Sequence, residues 1–488
     1  MQTVSQYFLD SMQFWNTMQR SNRNIFRVIM PLLVAVAMAM PTASSAQTSS
    51  VNAYSPYSMY GLGEILTPGS VQMRSMGGVG IGLRSPAQVN SLNPAAASIA
   101  PQKSFLFDVN FDATHYHNSQ MKYSTEGAAL DKAHTAYNTA NIHNIAFAMP
   151  LAKNLGLNFS ISPYSSVGYK IKSVDQQFDN WADIGHVQYV YAGEGDVSEV
   201  RVALGWAPWR RLSIGVAAKY YWGNIERQYS TIVTPFTGVG TYASTVGADT
   251  YTVNNFKFQA GLQLNIIQNE KRMLTLGATY DLGGKLNPRK ESIVFTDNQY
   301  NSTISGGYLI NPSIDKLDLR MPHKFGAGLY YVSRSLAWGV DYNYAMWGDD
   351  NGSYQENANA QNIVVDYTNT HNLKLGFEYT PRRNDTRSYA NRMSYRAGLR
   401  AGNYYQTFGG EQINTFAVTL GVGLPMRLWG SSSVNVAFEY GRLSSPHTIA
   451  VNAQKVGLTT QNYYKLSLGF SLFSADTSDY WFVRQKFD

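Results

Sequence analysis

At 488 residues, with 13% aromatic side chains, 15% charged side chains and 41 glycines, the chain has the composition of one large domain built from strands and turns. The absence of cysteine excludes a disulfide framework, a zinc–thiolate cluster and a cysteine nucleophile. The formal net charge of +7 comes from scattered Lys and Arg residues rather than from a basic run, so nucleic acid is not an expected partner.

The N-terminal region has the order of parts of a secretory signal peptide. Three arginines precede the one long apolar stretch, residues 28–40, and Ser44-Ser45-Ala46 follow it. That stretch is shorter than the roughly twenty residues that a membrane-spanning helix needs. We therefore predict that residues 1–46 are a signal peptide cleaved after Ala46, in a chain that starts at Met1 or at Met18.

Beyond residue 103, segments of nine to fifteen residues repeat the period of two that is typical of strands. In residues 212–222 and 464–472, for example, large apolar side chains alternate with small or polar ones. One face of each strand is therefore apolar and the other is small or polar. About fourteen such segments follow one another, and the last ends near Phe473.

The connections between these segments alternate between two lengths. Such alternation and an even strand number are typical of an outer-membrane barrel with both ends in the periplasm. The short connections lie near 150–153, 207–211, 268–272, 333–335, 381–391 and 425–431, and the long ones cover about 115–140, 170–198, 228–252, 283–321, 348–369, 404–413 and 443–461.

A soluble β-sandwich or propeller would also alternate, but strands of ten residues or more are long for a soluble sheet. Aromatic residues near the segment ends favour the membrane, because rings with one polar tip are most stable at the headgroup level. The residues interpreted as these girdles are Trp206, Trp209, Trp222, Trp347, Tyr330, Tyr331, Tyr404, Tyr405 and Tyr463. The predicted fold is all-β, an antiparallel transmembrane barrel of about 14 strands over residues 103–473. Residues 474–488 form a periplasmic tail or the end of the last strand.

A barrel of this size encloses a lumen that side chains alone do not fill. Charged residues on neighbouring inward faces are candidates for pairing across the wall, either as structural ladders or as determinants of solute selectivity. These lumen-facing candidates are Lys374, Glu378, Arg396, Arg400, Glu439 and Lys465.

Residues 47–102, between the signal peptide and the first strand, lack strand alternation and are rich in Gly, Pro, Ser and Asn. They contain the stretches 60–64 (YGLGE), 74–80 (RSMGGVG) and 90–97 (NSLNPAAA). With these motifs the chain resembles the FadL-like outer-membrane transport family, in which a GG-x-G stretch and NPA precede a fourteen-stranded barrel. Residues 163–169 (PYSSVGY) and 322–328 (PHKFGAG) extend the resemblance over most of the mature chain.

The resemblance implies that residues 47–102 form a hatch, or plug, inside the barrel and that hydrophobic molecules such as long-chain fatty acids pass through the wall or past a rearranged hatch. Glycine permits tight turns, and Asn-Pro fixes one. The hatch candidates are Gly77, Gly78, Gly80, Asn93, Pro94 and Ala95, which either gate the passage or shape a static plug.

Motifs of catalysis and metal binding are absent from the sequence. His115-x-His117 lacks a third ligand, and there is no nucleophile elbow and no H-E-x-x-H helix. We predict no enzyme activity and no cofactor. The predicted function is uptake of hydrophobic small molecules by a hatch-gated route in the outer membrane of a Gram-negative bacterium, with membrane lipid and the solute as partners. The alternatives are a structural or secretion-associated scaffold that binds proteins at its external loops, and a polar diffusion porin.

Overall fold

The structure is a computed structural model, and it describes residues 48–49, 52–101, 104–123, 129–174, 186–234, 244–297, 313–352, 356–358, 363–426, 432–451 and 454–474. All of them lie in one unit, Gln47–Asp488. The predicted signal peptide and the tail after Ser474 lie outside the described residues.

Fourteen antiparallel strands of the described chain form a closed barrel, because β14 pairs with β1. The predicted all-β transmembrane barrel is confirmed. In chain order the strands are β1 (Phe105–Tyr123), β2 (Ala129–Ala152), β3 (Leu155–Val174), β4 (His186–Trp209), β5 (Leu212–Thr234), β6 (Ser244–Gln268), β7 (Arg272–Asp281), β8 (Lys324–Ser333), β9 (Leu336–Ala345), β10 (Thr370–Tyr379), β11 (Ser394–Phe408), β12 (Glu411–Pro425), β13 (Ser433–Ser444) and β14 (Thr460–Ser474).

Several shorter strands lie at the extracellular end of the barrel, opposite the short periplasmic turns. The pieces are Arg289–Asp297 beyond β7, Ser313–Lys316 before β8, Ile363–Tyr367 before β10 with its partner Glu356–Ala358, and the pairs Gly284–Lys285 with Arg320–Met321 and Thr448–Val451 with Gln454–Gly457. The helical pieces of the wall are Trp347–Asn351 and the 3₁₀ turn Ala390–Arg392.

Large apolar side chains cover the outside of the barrel. Val216, Phe258 and Leu420 are 62%, 58% and 56% exposed, whereas their chain neighbours Gly215, Gln259 and Gly421 face inward. Strands of a closed barrel pair with both neighbours across the lipid layer, so an apolar exterior makes the barrel stable there. No helix of the described chain is both long and apolar enough to cross a membrane.

The aromatic-girdle interpretation is correct for only some of its residues. Trp206 and Trp209 are 50% and 67% exposed at the periplasmic end of β4, where a girdle is expected. The interpretation is wrong for Trp347, Tyr330, Tyr404, Tyr405 and Tyr463, which are all at most 7% exposed. Consecutive residues of a regular strand point to opposite faces, so Tyr464 faces outward while Tyr463 faces the lumen. Tyr404 and Tyr405 are both buried because the register of β11 shifts between Asn403 and Thr407.

In most regions predicted as long loops, the barrel strands continue as paired hairpins. β5 extends to Thr234 and β6 begins at Ser244. The region predicted as a loop at 404–413 is strand except for a turn at Gly409-Gly410. The apolar alternation ends where a strand leaves the lipid layer, but backbone pairing continues through polar residues. Six short turns still separate the strands at the other, periplasmic end.

The hatch lies inside the barrel, as predicted, and consists of short elements. These are a 3₁₀ turn at Pro56–Met59, one helical turn at Val71–Arg74, a 3₁₀ helix at Pro94–Ile99, and two-residue strands at Thr48–Ser49 and Glu64–Ile65. Residues 69–84 of the hatch are all buried, and the 3₁₀ helix packs on the periplasmic ends of β3 to β6.

Candidate functional site

The predicted glycine motif forms a tight turn against the wall. Gly77 and Gly78 have φ angles of 72° and 84°, which glycine adopts without strain. A methyl group on Gly77 would lie 2.7 Å from the carbonyl oxygens of both Leu375 and Leu399. The Gly80 amide donates to Asp341 Oδ2 at 2.7 Å, so backbone and wall are in direct contact here.

The Asn93-Pro94-Ala95 motif begins the 3₁₀ helix at the floor of the barrel. Asn93 Oδ1 accepts a hydrogen bond from the Ala95 amide at 3.0 Å, and Pro94 takes the first helical position, where no N–H is needed. Asn93 Nδ2 donates to the Ile81 and Leu262 carbonyl oxygens at 2.9 and 3.1 Å. One side chain therefore joins two parts of the hatch to β6.

A belt of wall glycines surrounds the lower part of the hatch, residues 70–99, which we call the hatch core. A methyl group on Gly205 would lie 2.6 Å from the Ser98 nitrogen, and one on Gly376 would lie 2.5 Å from the Met76 carbonyl oxygen. Side chains on these strands would push the hatch core away, so the glycines allow close packing of backbone on backbone. The glycine belt comprises Gly156, Gly205, Gly215, Gly261, Gly277, Gly328, Gly339, Gly376, Gly398, Gly421 and Gly469.

The six predicted lumen-facing charges all lie on inward faces, and the structure pairs four of them. Arg396 Nε donates to Glu378 at 2.7 Å, and Arg400 Nη2 donates to Glu439 at 2.7 Å. The Tyr463 hydroxyl also donates to Glu439 at 2.7 Å. Lys374 and Lys465 have no ion-pair partner within 4 Å among the described residues.

The wall has a seam between β2 and β3. Within the described residues, their ladder runs only from Ile145 opposite Ile161 down to the turn, while both strands continue outward. Pro163 has no N–H to donate, and β3 bulges at this proline relative to β4. Residues 164–169 are all buried, so both faces of β3 are covered along this stretch. The predicted motif at residues 163–169 is therefore the place where β3 leaves its neighbour.

The upper part of the hatch, residues 52–68, fills this seam, and we call it the seal segment. On the β3 side, Glu64 and Ile65 pair with Ser166 and Ser165, and the Ser55 amide donates to the Gly168 carbonyl at 2.8 Å. On the β2 side, the Tyr54 ring stacks on that of Tyr137, with centroids 3.7 Å apart. The preceding strand Thr48–Ser49 runs parallel to β2. The hatch thus supplies the backbone partner that each edge lacks.

A cavity of about 320 Å³, which we call the chamber, lies directly behind the seal segment. Its hatch side is formed by residues 64–68 together with Ile81 and Leu92, and it reaches β3 at Tyr164. Charged side chains line the rest of the wall, among them Lys324, Lys374 and Lys465. The chamber is therefore part apolar and part charged, with more cationic residues than the three acidic ones Glu64, Glu199 and Asp281, and residues 64–68 of the seal segment form one side of it.

A sequence model of the BamG family matches residues 28–488 of the chain. The chain belongs to the BamG family. Among curated proteins, none is significantly similar to it in sequence.

Solved structures of FadL-like channels share the fold of this BamG-family barrel. The similar structures include a FadL homologue from Pseudomonas aeruginosa (11% identity, 84% of this chain and 99% of that chain, TM-score 0.56), the toluene transporter TodX from P. putida (15%, 86% and 99%, 0.53) and the toluene transporter TbuX from Ralstonia pickettii (12%, 83% and 98%, 0.52). The resemblance to the FadL-like family is confirmed for the fold. The predicted location, the outer membrane of a Gram-negative bacterium, is also confirmed.

Sequence reasoning missed three parts of this BamG-family site. The seam was not predicted, although Pro163 inside an alternating segment was a signal for it. The glycine belt was not recognised, although one glycine recurs on the inward face of successive strands. Glu64 of the seal segment was not singled out, although a carboxylate in a glycine-rich apolar stretch is unusual there.

Proposed function

We propose that this protein is an outer-membrane channel, without catalytic activity, through which hydrophobic small molecules such as long-chain fatty acids leave the chamber sideways through the seam. The seam filled by the seal segment is the observation that carries this proposal. A hydrophobic solute crosses the polar lipopolysaccharide layer slowly. A route that opens sideways into the lipid spares the solute from entering the water of the periplasm directly. Each methylene kept out of water stabilises the bound solute by about 0.8 kcal/mol.

The moving part of this channel is the seal segment, and the hatch core stays in place. The first part of the seal segment is fixed by side-chain packing and hydrogen bonds, for example from Tyr405 to the Gly63 carbonyl oxygen. Residues 64–68 are only partly buried apart from Leu66, and they are held to β3 by a ladder of two residue pairs. The hatch core instead packs on the glycine belt and is bound by side chains such as Asn93 and Asp341. Small local openings cost less than the release of a densely packed unit, so displacement of residues 64–68 is the easier motion.

Two engineered disulfides distinguish these parts, and the natural chain contains no cysteine to interfere. Ile65→Cys with Ser165→Cys joins a directly opposed antiparallel pair and locks the seal segment to β3. Ser98→Cys with Ser213→Cys replaces two hydroxyls whose oxygens are 2.8 Å apart, and locks the hatch core to β5. The measurement is the rate at which a fluorescent long-chain fatty acid enters cells that have lipopolysaccharide in the outer leaflet.

We expect the first lock to stop uptake and a reductant to restore it, whereas the second lock leaves uptake unchanged. Equal inhibition by both locks would show that the hatch moves as a whole. Unchanged uptake with the first lock would contradict passage through the seam.

The length of the external hairpins favours one second candidate, a scaffold for protein partners. β4, β5 and β6 have 24, 23 and 25 residues, whereas about 9–11 residues cross a membrane. More than half of each strand therefore lies outside the lipid layer and presents an ordered surface. If the scaffold role is the main one, shortening the β5–β6 hairpin abolishes complex formation and leaves fatty-acid uptake intact.

A further inference from the structure

The outward face of the wall changes character along β13 and β14. Its membrane part carries exposed apolar side chains such as Phe438 and Phe470. Further from the periplasm, Tyr440 of β13 lies opposite Tyr464 of β14, with ring centroids 5.3 Å apart. Tyrosine rings are most stable at the headgroup level, so the residues beyond this pair lie among the headgroups of the outer leaflet.

A second cavity, of about 370 Å³, lies directly beyond this tyrosine pair and has Tyr440 in its lining, and we call it the outer pocket. Its wall side belongs to β13, β14, β1 and β2, and the two ends of the connection between β13 and β14 line the rest. Arg442 of β13 is exposed, whereas the next residue, Leu443, is buried in the core that includes the hatch. Consecutive strand residues point to opposite faces, so the Arg442 side chain lies on the outside of the barrel.

The outer pocket is cationic. Lys132 of β2, Arg442 of β13 and His447 of the connection line it, and none of its described lining residues is acidic. Neither Lys132 nor Arg442 has an ion-pair partner within 4 Å in the described part of the chain. The hydroxyls of Thr448 and Thr460 border the same space. Two permanent positive charges and hydroxyl donors without an acid are suited to a multiply charged oxyanion, which a guanidinium can bind through two parallel hydrogen bonds.

The width and position of the outer pocket favour a lipid headgroup over a free ion. β14 and β1 lie between β13 and β2, and neighbouring strands are about 4.8 Å apart, so Arg442 and Lys132 come from backbones roughly 14 Å apart. A single phosphate ion is smaller than this span. The apolar face with Phe438 and Phe470 lies directly on the membrane side of the pocket, where acyl chains attached to the same headgroup would pack.

We propose that the outer pocket binds the phosphorylated sugar headgroup of one lipopolysaccharide molecule in the outer leaflet. Arg442 and Lys132 bind its phosphate groups, and its acyl chains lie along the apolar face of β13 and β14. This site goes beyond the proposed function, because it lies on the outside of the wall and takes no part in passage through the chamber. The bound lipid joins β2 to β13 across two intervening strands.

The test measures lipid binding to the purified full-length protein in detergent by native mass spectrometry. The probes are lipid A, the membrane anchor of lipopolysaccharide, and lipid A from which a phosphatase has removed the phosphates. The natural protein should retain one lipid A molecule and bind the dephosphorylated form about tenfold or more weakly. Lys132→Gln together with Arg442→Gln should weaken binding of lipid A about tenfold or more, because two charge-assisted contacts are lost.

Lys170→Gln together with Lys172→Gln is the matched control, since both lysines are exposed on β3, neither lines the outer pocket, and the same charge is lost. This control should bind lipid A as the natural protein does. The heat-dependent shift in electrophoretic mobility of folded barrels shows that each variant is folded. Equal weakening by both double variants would mean attraction by the overall charge, and it would overturn the inference. Equal binding of the two lipid A forms, or release of lipid A by millimolar inorganic phosphate, would do so as well.

Discussion

Arg74 of the hatch core donates two hydrogen bonds to Asp112 of β1, at 2.6 and 2.8 Å, and both side chains are at most 9% exposed. His143 of β2 lies 3.1 Å from the same carboxylate, and its other ring nitrogen lies 3.1 Å from the Thr67 carbonyl oxygen. The Arg74–Asp112 pair therefore anchors the hatch core to β1, and His143 links it to β2 where β2 is no longer paired with β3.

Asp112→Asn removes one charge of this buried pair and leaves the Arg74 guanidinium without a counter-ion. We expect a loss of about 3–5 kcal/mol in the free energy of unfolding, as is usual when one partner of a buried ion pair is removed. Urea unfolding in detergent measures it. Glu291→Gln, in a pair with Arg289 that is about half exposed, should cost less than about 1 kcal/mol. Similar losses for the two variants would contradict the anchoring role.

The glycine belt predicts that one added methyl group on the inner wall disturbs the plug. Gly215→Ala places a carbon 2.5 Å from the Ala95 nitrogen, whereas Val216→Leu adds one carbon to the lipid face next to it. Sugars of graded size should leak from liposomes that contain Gly215→Ala and stay inside with Val216→Leu or the natural protein. Liposomes that retain the sugars with both variants would show that the hatch core still blocks the lumen when a methyl group is added to the glycine belt.

Asp341 holds the glycine turn through the Gly80 and Ile81 amides, both bound to its Oδ2 at 2.7 and 2.9 Å. Asp341→Asn weakens these contacts by placing a neutral amide where a carboxylate accepts both hydrogen bonds. We expect a loss of about 1–3 kcal/mol in stability. Amide hydrogen exchange should become faster at residues 77–83 and stay unchanged at residues 94–99. Unchanged exchange at residues 77–83 would mean that Asp341 stabilises only the barrel wall.

Burial raises the pKa of Glu64 above its usual range, against the opposing effect of Lys465. A carboxyl group with a raised pKa favours the docked seal segment while it is protonated, and this contribution is lost as the pH rises through the docked pKa. A nitroxide at Pro68→Cys should therefore become more mobile as the pH rises above about 4.5, the ordinary value for the group. Adding Glu64→Gln should remove this dependence, and a dependence that persists would assign it to another group.

The barrel could be predicted from the sequence because its signals are local. Alternation in residues such as 212–222 reports which side of a strand faces lipid, and the spacing of turns reports the number of strands. The charges Glu378 and Arg396 could be placed on one inward face for the same reason. The sequence also limits their possible ion-pair partners to residues of neighbouring strands, because strands that follow one another in the chain lie side by side in the barrel.

The seam and the seal segment could not be predicted, because they depend on contacts between distant parts of the chain. Ile65 meets Ser165, and Ser55 meets Gly168, only after the barrel has closed around the hatch. Proline at 163 signals a break in a ladder but not which segment repairs it. The phase of a strand was likewise uncertain where two tyrosines follow each other, as at Tyr463 and Tyr464.

Amide hydrogen exchange on the natural protein, with and without a long-chain fatty acid, tests the central claim most directly. We predict that the solute speeds exchange at residues 53–68, where the seal segment leaves the seam, and leaves residues 71–98 protected on the glycine belt. Exchange that speeds up equally over residues 53–98 would mean that the whole hatch is released, and would contradict a fixed hatch core with a side exit.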